Sequence, residues 1–538
     1  MKEEENEKLT SDISAAENKS STRRETVLIL ILASALSISA SLYFFNRGMT
    51  NVYGDGVAHA NIARKVVDSL DDSIWQRYIQ IGTPWLPLQT ALMLPLVAND
   101  YLWRTGAAGS LISMIFYVIT ALSLYKLACL LYSDEDERYK KAMPAIACAI
   151  FLFNPSALYM QSTPMTEIVF MGAVTAGVFF LQRWALDQTL KGLLIAAVVM
   201  TVATLSRYEA WPVAAISILI VAIVAKKSLF EKLKLATLFA LVVMIGPAYW
   251  LWHNWMIFGD AFEFLTGPHS ARGIFLQNQA NLGWSRIFVG NALLDVLLMS
   301  ATVAVIVGPL IVMIAAGGFF RLVITRRKAG VVYLPSLLLL APFFFHTLSL
   351  YRGEIQIFPL SAFGLLNVRY GLPHLLAVAL LAPAIIPALR RLKNYAPLIV
   401  WLVVALQYWA LIAEGPSQMA IYQEGFRNGV NSRPSRERAR VASYLRENPS
   451  RPVILMMTGS LGACISQGGL RFSDIIHEGT SRWHAIETEI PVDVSTIILE
   501  EGDSLDRRIS ERSTLTENFK REFQQVYSLG RIKIYWRR

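Results

Sequence analysis

Apolar residues in this chain gather in long, nearly uncharged runs instead of alternating with polar ones. Eleven runs read as membrane-spanning helices: 27–45, 105–131, 142–159, 168–186, 190–205, 211–225, 235–258, 287–320, 331–350, 372–389 and 396–413. About 18 or more such residues suffice to cross a bilayer as a helix. The first run follows a long acidic leader and outlasts a secretory signal core, which favours a retained anchor. A further apolar stretch, 85–97, is too short to span, and Pro84, Pro87 and Pro95 break it. It is expected to lie in the interface or to re-enter the membrane. Residues 1–26 are polar, rich in Glu, Lys, Ser and Thr, and are expected to form a disordered cytoplasmic tail.

From Glu414 onward the pattern becomes that of a soluble domain. Residues 435–447 read as a charged amphipathic helix, and 452–457, 494–499 and 531–536 as short β-rich segments, with a helical pattern near 516–526. The expected fold is mainly α and polytopic. A membrane domain covers 27–413, with a long first outer loop at 46–104, and a small α/β domain at 414–538 lies outside the cytoplasm. No repeat with a period of about 20–50 residues is visible.

Composition excludes the soluble alternatives. Of 538 residues, 54% are hydrophobic and 17% charged, against about 25% charged in ordinary globular domains. A soluble enzyme, a fibre and a disordered chain are all ruled out. The net charge of +10 would raise nucleic acid as a partner, but much of it lies in short loops, where Lys and Arg orient a membrane protein. No nucleic acid is expected. With the N-terminus inside, the cytoplasmic loops carry Arg138, Lys140, Lys141, Arg183, Lys191, Lys226, Lys227, Lys232 and Lys234. Arg321, Arg326, Arg327, Lys328, Arg390, Arg391 and Lys393 continue the series. The opposite loops are longer and poorer in Lys and Arg, and an odd number of spans puts the C-terminus outside. Cys129, Cys148 and Cys464 make neither a disulfide framework nor a zinc spacing.

This orientation places Asp55, Glu167, Arg207, Glu209, Arg352, Glu354 and Arg369 at the outer ends of spans or in outer loops. Ionisable groups at such ends can snorkel to water, so the functional signal lies in their convergence on one face. The clearest motif is Tyr53-Gly54-Asp55-Gly56-Val57-Ala58-His59, followed by Ile62, Ala63, Val66, Val67 and Leu70 at helical spacing. It describes an amphipathic helix on the membrane. Asp55 is placed either to cap that helix or to take a proton from an acceptor hydroxyl. Thr163-Pro164-Met165-Thr166-Glu167 forms a turn in which Thr166 suits a helix cap. In Ser206-Arg207-Tyr208-Glu209 the Arg and Glu can neutralise each other; in Asn367-Val368-Arg369-Tyr370-Gly371 the guanidinium suits a lipid phosphate as well as it suits snorkelling. In the C-terminal domain Gly459-Ser460-Leu461-Gly462 reads as a turn, and His477, Glu478 and His484 are too poorly spaced for a metal site.

Taken in order, Gly54-Asp55-Gly56, Thr163 to Glu167, Arg207-Tyr208-Glu209 and Asn367 to Gly371 give the chain a family likeness. It resembles the GT-C fold membrane glycosyltransferases, in particular the branch related to protein O-mannosyltransferases and aminoarabinose transferases. The resemblance covers 27–413 and extends to the outer α/β domain often appended there. It implies transfer of a sugar from a polyprenyl-phosphate-linked donor to an extracytoplasmic acceptor, whether protein, lipid or glycan, in a prokaryotic cell membrane. It makes Asp55 the base, with Glu167 supplying a second acidic function. Many members carry a second acid directly after the first-loop Asp; here Gly56 stands there. Arg369, and after it Arg207, map onto the phosphate-binding residues, while His59, Glu209 and Arg352 are site candidates by position.

The implied reaction is a direct displacement that inverts C1 and releases a lipid phosphate stabilised by cationic side chains. No cofactor is required, and no metal ligands are assigned, although paired acids can coordinate a divalent cation. The main alternative is a transporter or lipid flippase, which would use His253, Asp295 and His346 within or near the apolar runs. A non-catalytic scaffold is the third reading, favoured if Asp55, Glu167 and Arg369 lie far apart.

Overall fold

Backbone in lipid must satisfy its own hydrogen bonds, which leaves helix as the main choice for apolar runs. The computed structural model describes residues 2–71, 73–325, 331–360, 364–392, 394–449 and 452–538. Among them six helices are long and apolar enough to span: Arg23–Asn46, Ala107–Leu131, Glu167–Asp187, Val331–Tyr351, Val368–Leu389 and Tyr395–Ile412. Two bent pairs add to these, Leu229–Val243 with Ile245–Phe258 at 41° and Ala292–Val307 with Pro309–Thr325 at 114°. Leu190–Thr204 and Ala210–Val224 are apolar but shorter. The run expected over 142–159 is broken into Ala142–Leu152 and Pro155–Met160. The protein is a mainly α, multi-pass membrane protein.

The single span expected over 287–320 is instead a pair of helices folded sharply against each other. Gly308 adopts φ 102° at the bend, a conformation side chains rarely take, and Pro309 starts the second arm. Such a doubled stretch means that the side of each terminus does not follow from counting runs. At the N-terminus the helix Lys2–Asn46 is continuous. The side chains of residues 2–22, within the tail expected to be disordered, lie outside the described ones. Met1 lies outside the described residues, as do Arg326, Arg327, Lys328 and Lys393 among the loop cations.

Contacts sort the loops by end. Arg321 makes two 2.9 Å hydrogen bonds to Glu135, and the Tyr333 hydroxyl donates to Asp134 at 2.6 Å. The Lys226 backbone N–H donates to Gln188 at 2.9 Å. These loops share one end of the bundle, while Asp55, Glu167, Arg207 and Arg369 meet at the other. Between the ends Glu167–Asp187 is the central helix, buried along most of its length. Its small residues admit close neighbours: a Cβ at Gly172 would lie 2.7 Å from the Phe116 carbonyl oxygen.

The C-terminal domain holds a five-stranded sheet in the order β2-β1-β3-β5-β4. The strands are β1 (Ile454–Met456), β2 (Ile475–Ile476), β3 (Thr496–Glu500), β4 (Phe523–Leu529) and β5 (Ile532–Arg537). β1 pairs parallel with β2 and β3, whereas β5 is antiparallel to β3 and β4. The helical pattern expected to 526 stops at Glu522, because the following residues pair across a tight turn with β5. The segment 459–462 is not a turn: it opens the helix Thr458–Gly468, which packs on Arg433–Glu447.

This domain rests on the first outer loop. Arg104 donates to the Ser466 and Leu470 carbonyls, both at 2.9 Å, which satisfies acceptors at the end of Thr458–Gly468. Asn61 donates to the Gly462 carbonyl at 3.1 Å, Lys65 to Thr458 Oγ1 at 2.6 Å, and Gln80 to the Gly479 carbonyl at 2.6 Å.

Candidate active site

The helix Gly54–Val67 starts one residue before Asp55. Asp55 therefore sits in the first turn and makes no cap; its carboxylate reaches Arg369 Nη2 at 2.5 Å, with 43% of the side chain exposed. Gly56 permits this approach, since a Cβ there would lie 2.9 Å from Pro164 Cγ. The helix can thus press its first turn onto the turn that leads to Glu167.

Glu167 is fully buried at the start of its helix. Thr166, expected as a cap, makes no cap bond and instead accepts from Arg207 Nη1 at 2.8 Å. The same nitrogen donates to Glu167 Oε1 at 3.1 Å, and Arg207 Nε donates to Glu209 Oε1 at 2.8 Å. Arg369 Nε lies 3.2 Å from Glu167 Oε1, close enough for ion pairing but not aligned as a hydrogen bond. Glu167 thus bridges the two guanidiniums, and buried arginines need such partners.

A third carboxylate holds Arg369 from the far side. Glu424 Oε1 lies 3.4 Å from Arg369 Nη1. Glu424 also accepts the backbone N–H groups of Asn367 at 2.8 Å and Val368 at 2.9 Å. Asn367 has φ 53°, a left-handed turn that Asn tolerates better than most residues. Burial draws the Glu424 carboxyl upward, against the pull of Arg369 and these two N–H groups. Sequence reasoning missed Glu424, which follows the last span without a motif.

Beneath Arg207 lies a buried relay. His346 Nε2 is 3.0 Å from Glu209 Oε1, and His346 Nδ1 is 3.1 Å from His374 Nε2. If His346 Nε2 donates to Glu209, its Nδ1 can accept from His374 Nε2. Burial pulls the Glu209 carboxyl upward, but Arg207 and His346 outweigh it and hold the group below the usual carboxylate range. The other two residues of the transporter reading lie apart from the cluster. His253 bonds Tyr78 and the Gly82 carbonyl, and Asp295 is buried with neither oxygen bonded among the described residues.

Two cavities flank the cluster. One, about 990 Å³, lies between the first-loop helix and the C-terminal domain and is lined by polar groups, among them Asn51, Asn61, Lys65, Asn428, Ser435 and Thr458, interspersed with Val52, Val57, Ile62 and other apolar ones, and by Arg104 and Arg438. The other, about 960 Å³, is lined by Trp211, Phe264, Phe275, Phe345 and other apolar groups, together with Arg207, Arg272, Arg352 and Arg369. They share Asp55, Trp85, Leu366, Asn367 and Arg369. Glu167 lines neither, whereas Glu209 lines the second.

The structure brings Asp55, Glu167, Arg207, Glu209 and Arg369 into one connected cluster. Their proximity removes the separation on which the scaffold reading depended. Arg352 reaches the second cavity but pairs with Glu354 at 2.9 Å, outside the cluster. His59 lies one turn beyond Asp55, almost fully buried, its ring centroid 4.5 Å from that of Trp85. Burial, only partly offset by Asp55, lowers its pKa to about 4, so the imidazole is neutral near pH 7.

No family model matches the chain, and no curated protein matches it. Among solved structures it is similar in shape to the Archaeoglobus fulgidus oligosaccharyltransferase complex with Zn and sulfate. That match has a TM-score of 0.49 and 10% identity, over 95% of this chain and 73% of the other. ArnT from Cupriavidus metallidurans matches with a TM-score of 0.48 in the apo state, at 14% identity over 93% of this chain and 97% of that one. Its structure bound to undecaprenyl phosphate matches with a TM-score of 0.48 and 12% identity, over the same 93% and 97%. Among the described residues no three His, Cys, Asp or Glu side chains group as ligands, and the carboxylates of the cluster face guanidiniums.

Proposed function

We propose that this protein is a membrane glycosyltransferase that moves a sugar from a polyprenyl-phosphate carrier to an acceptor on the non-cytoplasmic side. The observation that carries the reading is the pair of cavities sharing Asp55 and Arg369 at their junction. A transferase between two unlike substrates needs one chamber for each, with the base and the leaving-group cation where they meet. The chamber walled by aromatic and other apolar groups, with Arg207 and Arg369 on its lining, suits an isoprenoid phosphate, and the more polar, amide-bearing one suits a polar acceptor.

In this scheme the donor phosphate lies against Arg369, with Arg207 beside it, and guanidinium forks pair with phosphate oxygens. Asp55 takes the proton from the acceptor hydroxyl as its oxygen attacks the sugar C1. The bond from C1 to the phosphate oxygen breaks, the lipid phosphate leaves with its electron pair, and C1 inverts. General-base help of this kind is typically worth about 10²–10⁴-fold. Glu167 and Glu424 hold the guanidiniums in register, which gives Glu167 an aligning role in place of a second acid. The N-terminus is cytoplasmic and the 414–538 domain lies outside, where it walls the acceptor chamber.

The test is incubation of membranes carrying the protein with radiolabelled polyprenyl-phosphate sugars, followed by identification of the labelled product. Transfer dependent on the protein is expected. Absence of transfer from every such donor, with labelling of the C-terminal domain from the cytosolic side, would overturn the reading.

A further inference from the structure

Five residues border both cavities: an acid, a guanidinium, Leu366, Asn367 and the indole of Trp85. The sugar being transferred must sit at that border, because its C1 is bonded to the phosphate on one side and attacked from the other. This inference rests on the proposed transferase reading and deepens it. Asn367 is already engaged, its side-chain amide donating to the Gln356 carbonyl at 2.9 Å. Asp55 and Arg369 are committed to proton and phosphate. Trp85 alone of the five offers a partly exposed aromatic face.

The chain around Trp85 is pinned to three separate helices or turns. The Gly82 carbonyl is 2.8 Å from His253 Nε2, and Thr83 Oγ1 donates to Asn254 Oδ1. The Leu88 N–H donates to the Leu205 carbonyl at 3.0 Å, and Gln89 donates to the Pro164 carbonyl at 2.6 Å. Pro84 and Pro87 stiffen the segment between these anchors. His59 backs the indole, its ring inclined by 45° to it. A rigid, half-buried indole at a junction lined by polar groups is the chemistry that recognises a pyranose, whose C–H face packs on the aromatic ring while its hydroxyls stay solvated.

We infer that Trp85 is the stacking platform for the donor sugar, and that the donor is a polyprenyl-phosphoryl pyranose held by its apolar ring face. Phosphate and sugar are then bound by different residues, so their contributions separate. The test measures equilibrium binding to the purified full-length protein of bare polyprenyl phosphate and of polyprenyl-phosphoryl glucose, mannose and galactose. The native protein is expected to bind at least one sugar-bearing lipid about 5–10-fold more tightly than the bare phosphate. Trp85→Ala should erase that margin while leaving bare-phosphate affinity within about twofold, and Trp85→Phe should keep part of it. Equal loss for both kinds of lipid, with an unchanged melting temperature, would make Trp85 merely structural and overturn the inference. So would a margin that survives Trp85→Ala, or a native protein showing none. Failure of the native protein to bind even bare polyprenyl phosphate would instead sink the lipid-carrier reading beneath it.

Discussion

Replacing Asp55 with Asn separates two effects that the geometry couples. The change keeps size and removes basicity, so transfer should fall by about 10²–10⁴-fold, the usual worth of a general base. The same carboxylate lies 2.5 Å from Arg369 Nη2, the group assigned to the donor phosphate. With no donor bound, Asp55 therefore competes with phosphate for that guanidinium. With 43% of its side chain exposed, the pair is worth about 0.2–1 kcal/mol, as partly solvated ion pairs are. Asp55→Asn should thus bind bare polyprenyl phosphate as tightly as the native protein, or up to about fivefold more tightly. Turnover would be followed with radiolabelled donor in membranes, and affinity by equilibrium binding to the purified protein, with melting temperature as the folding control. Near-native transfer would refute the assignment of the base. Donor affinity that collapses together with turnover would refute the competition, and would make Asp55 a structural strut for Arg369.

Other perturbations probe the surroundings. Arg369→Ala should weaken donor binding more than acceptor binding, and lower stability by about 3–5 kcal/mol, because it leaves the buried Glu424 without its cation and Glu167 with Arg207 alone; unchanged donor affinity would remove Arg369 from the phosphate site. Gly56→Val should push the first-loop helix off Pro164, whose Cγ stands only 2.9 Å from where a Cβ would fall, and cut transfer at least tenfold at near-native donor affinity; full activity would show that the close approach is dispensable. Acid should loosen the C-terminal domain. Burial, with Lys65 nearby, lowers His477 to about 3, so the unfolded chain takes up a proton that the folded chain refuses, and stability falls as pH drops from about 6.5 to about 3. Burial pulls the Glu478 carboxyl up, but Lys65, His477 and the Thr458 hydrogen bonds prevail and hold it at about 2, so its contribution is lost as pH falls from about 4.5 to about 2. Both act in one direction, and melting temperatures that stay level from pH 7 to pH 4 would contradict them.

Much of the fold was legible because apolar length is a local property. The helices Ala107–Leu131, Glu167–Asp187 and Tyr395–Ile412 lie within a few residues of the runs that predicted them. The sharp bend at Gly308 was hidden, since hydropathy is the same on both sides of it. β4 was read as the end of a helix because its burial comes from pairing with β5, a partner its own residues do not announce.

Asp55, Glu167, Arg207 and Arg369 could be picked out because charge beside hydrocarbon is costly and therefore conspicuous. Their roles were not so readable. Glu167 is equally conspicuous whether it faces substrate or lies behind two arginines, and only packing places it behind. Glu424 and Trp85 carried no local mark at all: one is a single acid past the last span, the other an aromatic residue in a chain full of them. Apolar length and charge placement are written residue by residue, so the chain alone decided that this protein spans the membrane and which charged groups cluster at one end. Where two cavities meet depends on contacts between residues hundreds of positions apart, such as Asp55 with Arg369, and that choice belongs to the assembled tertiary structure.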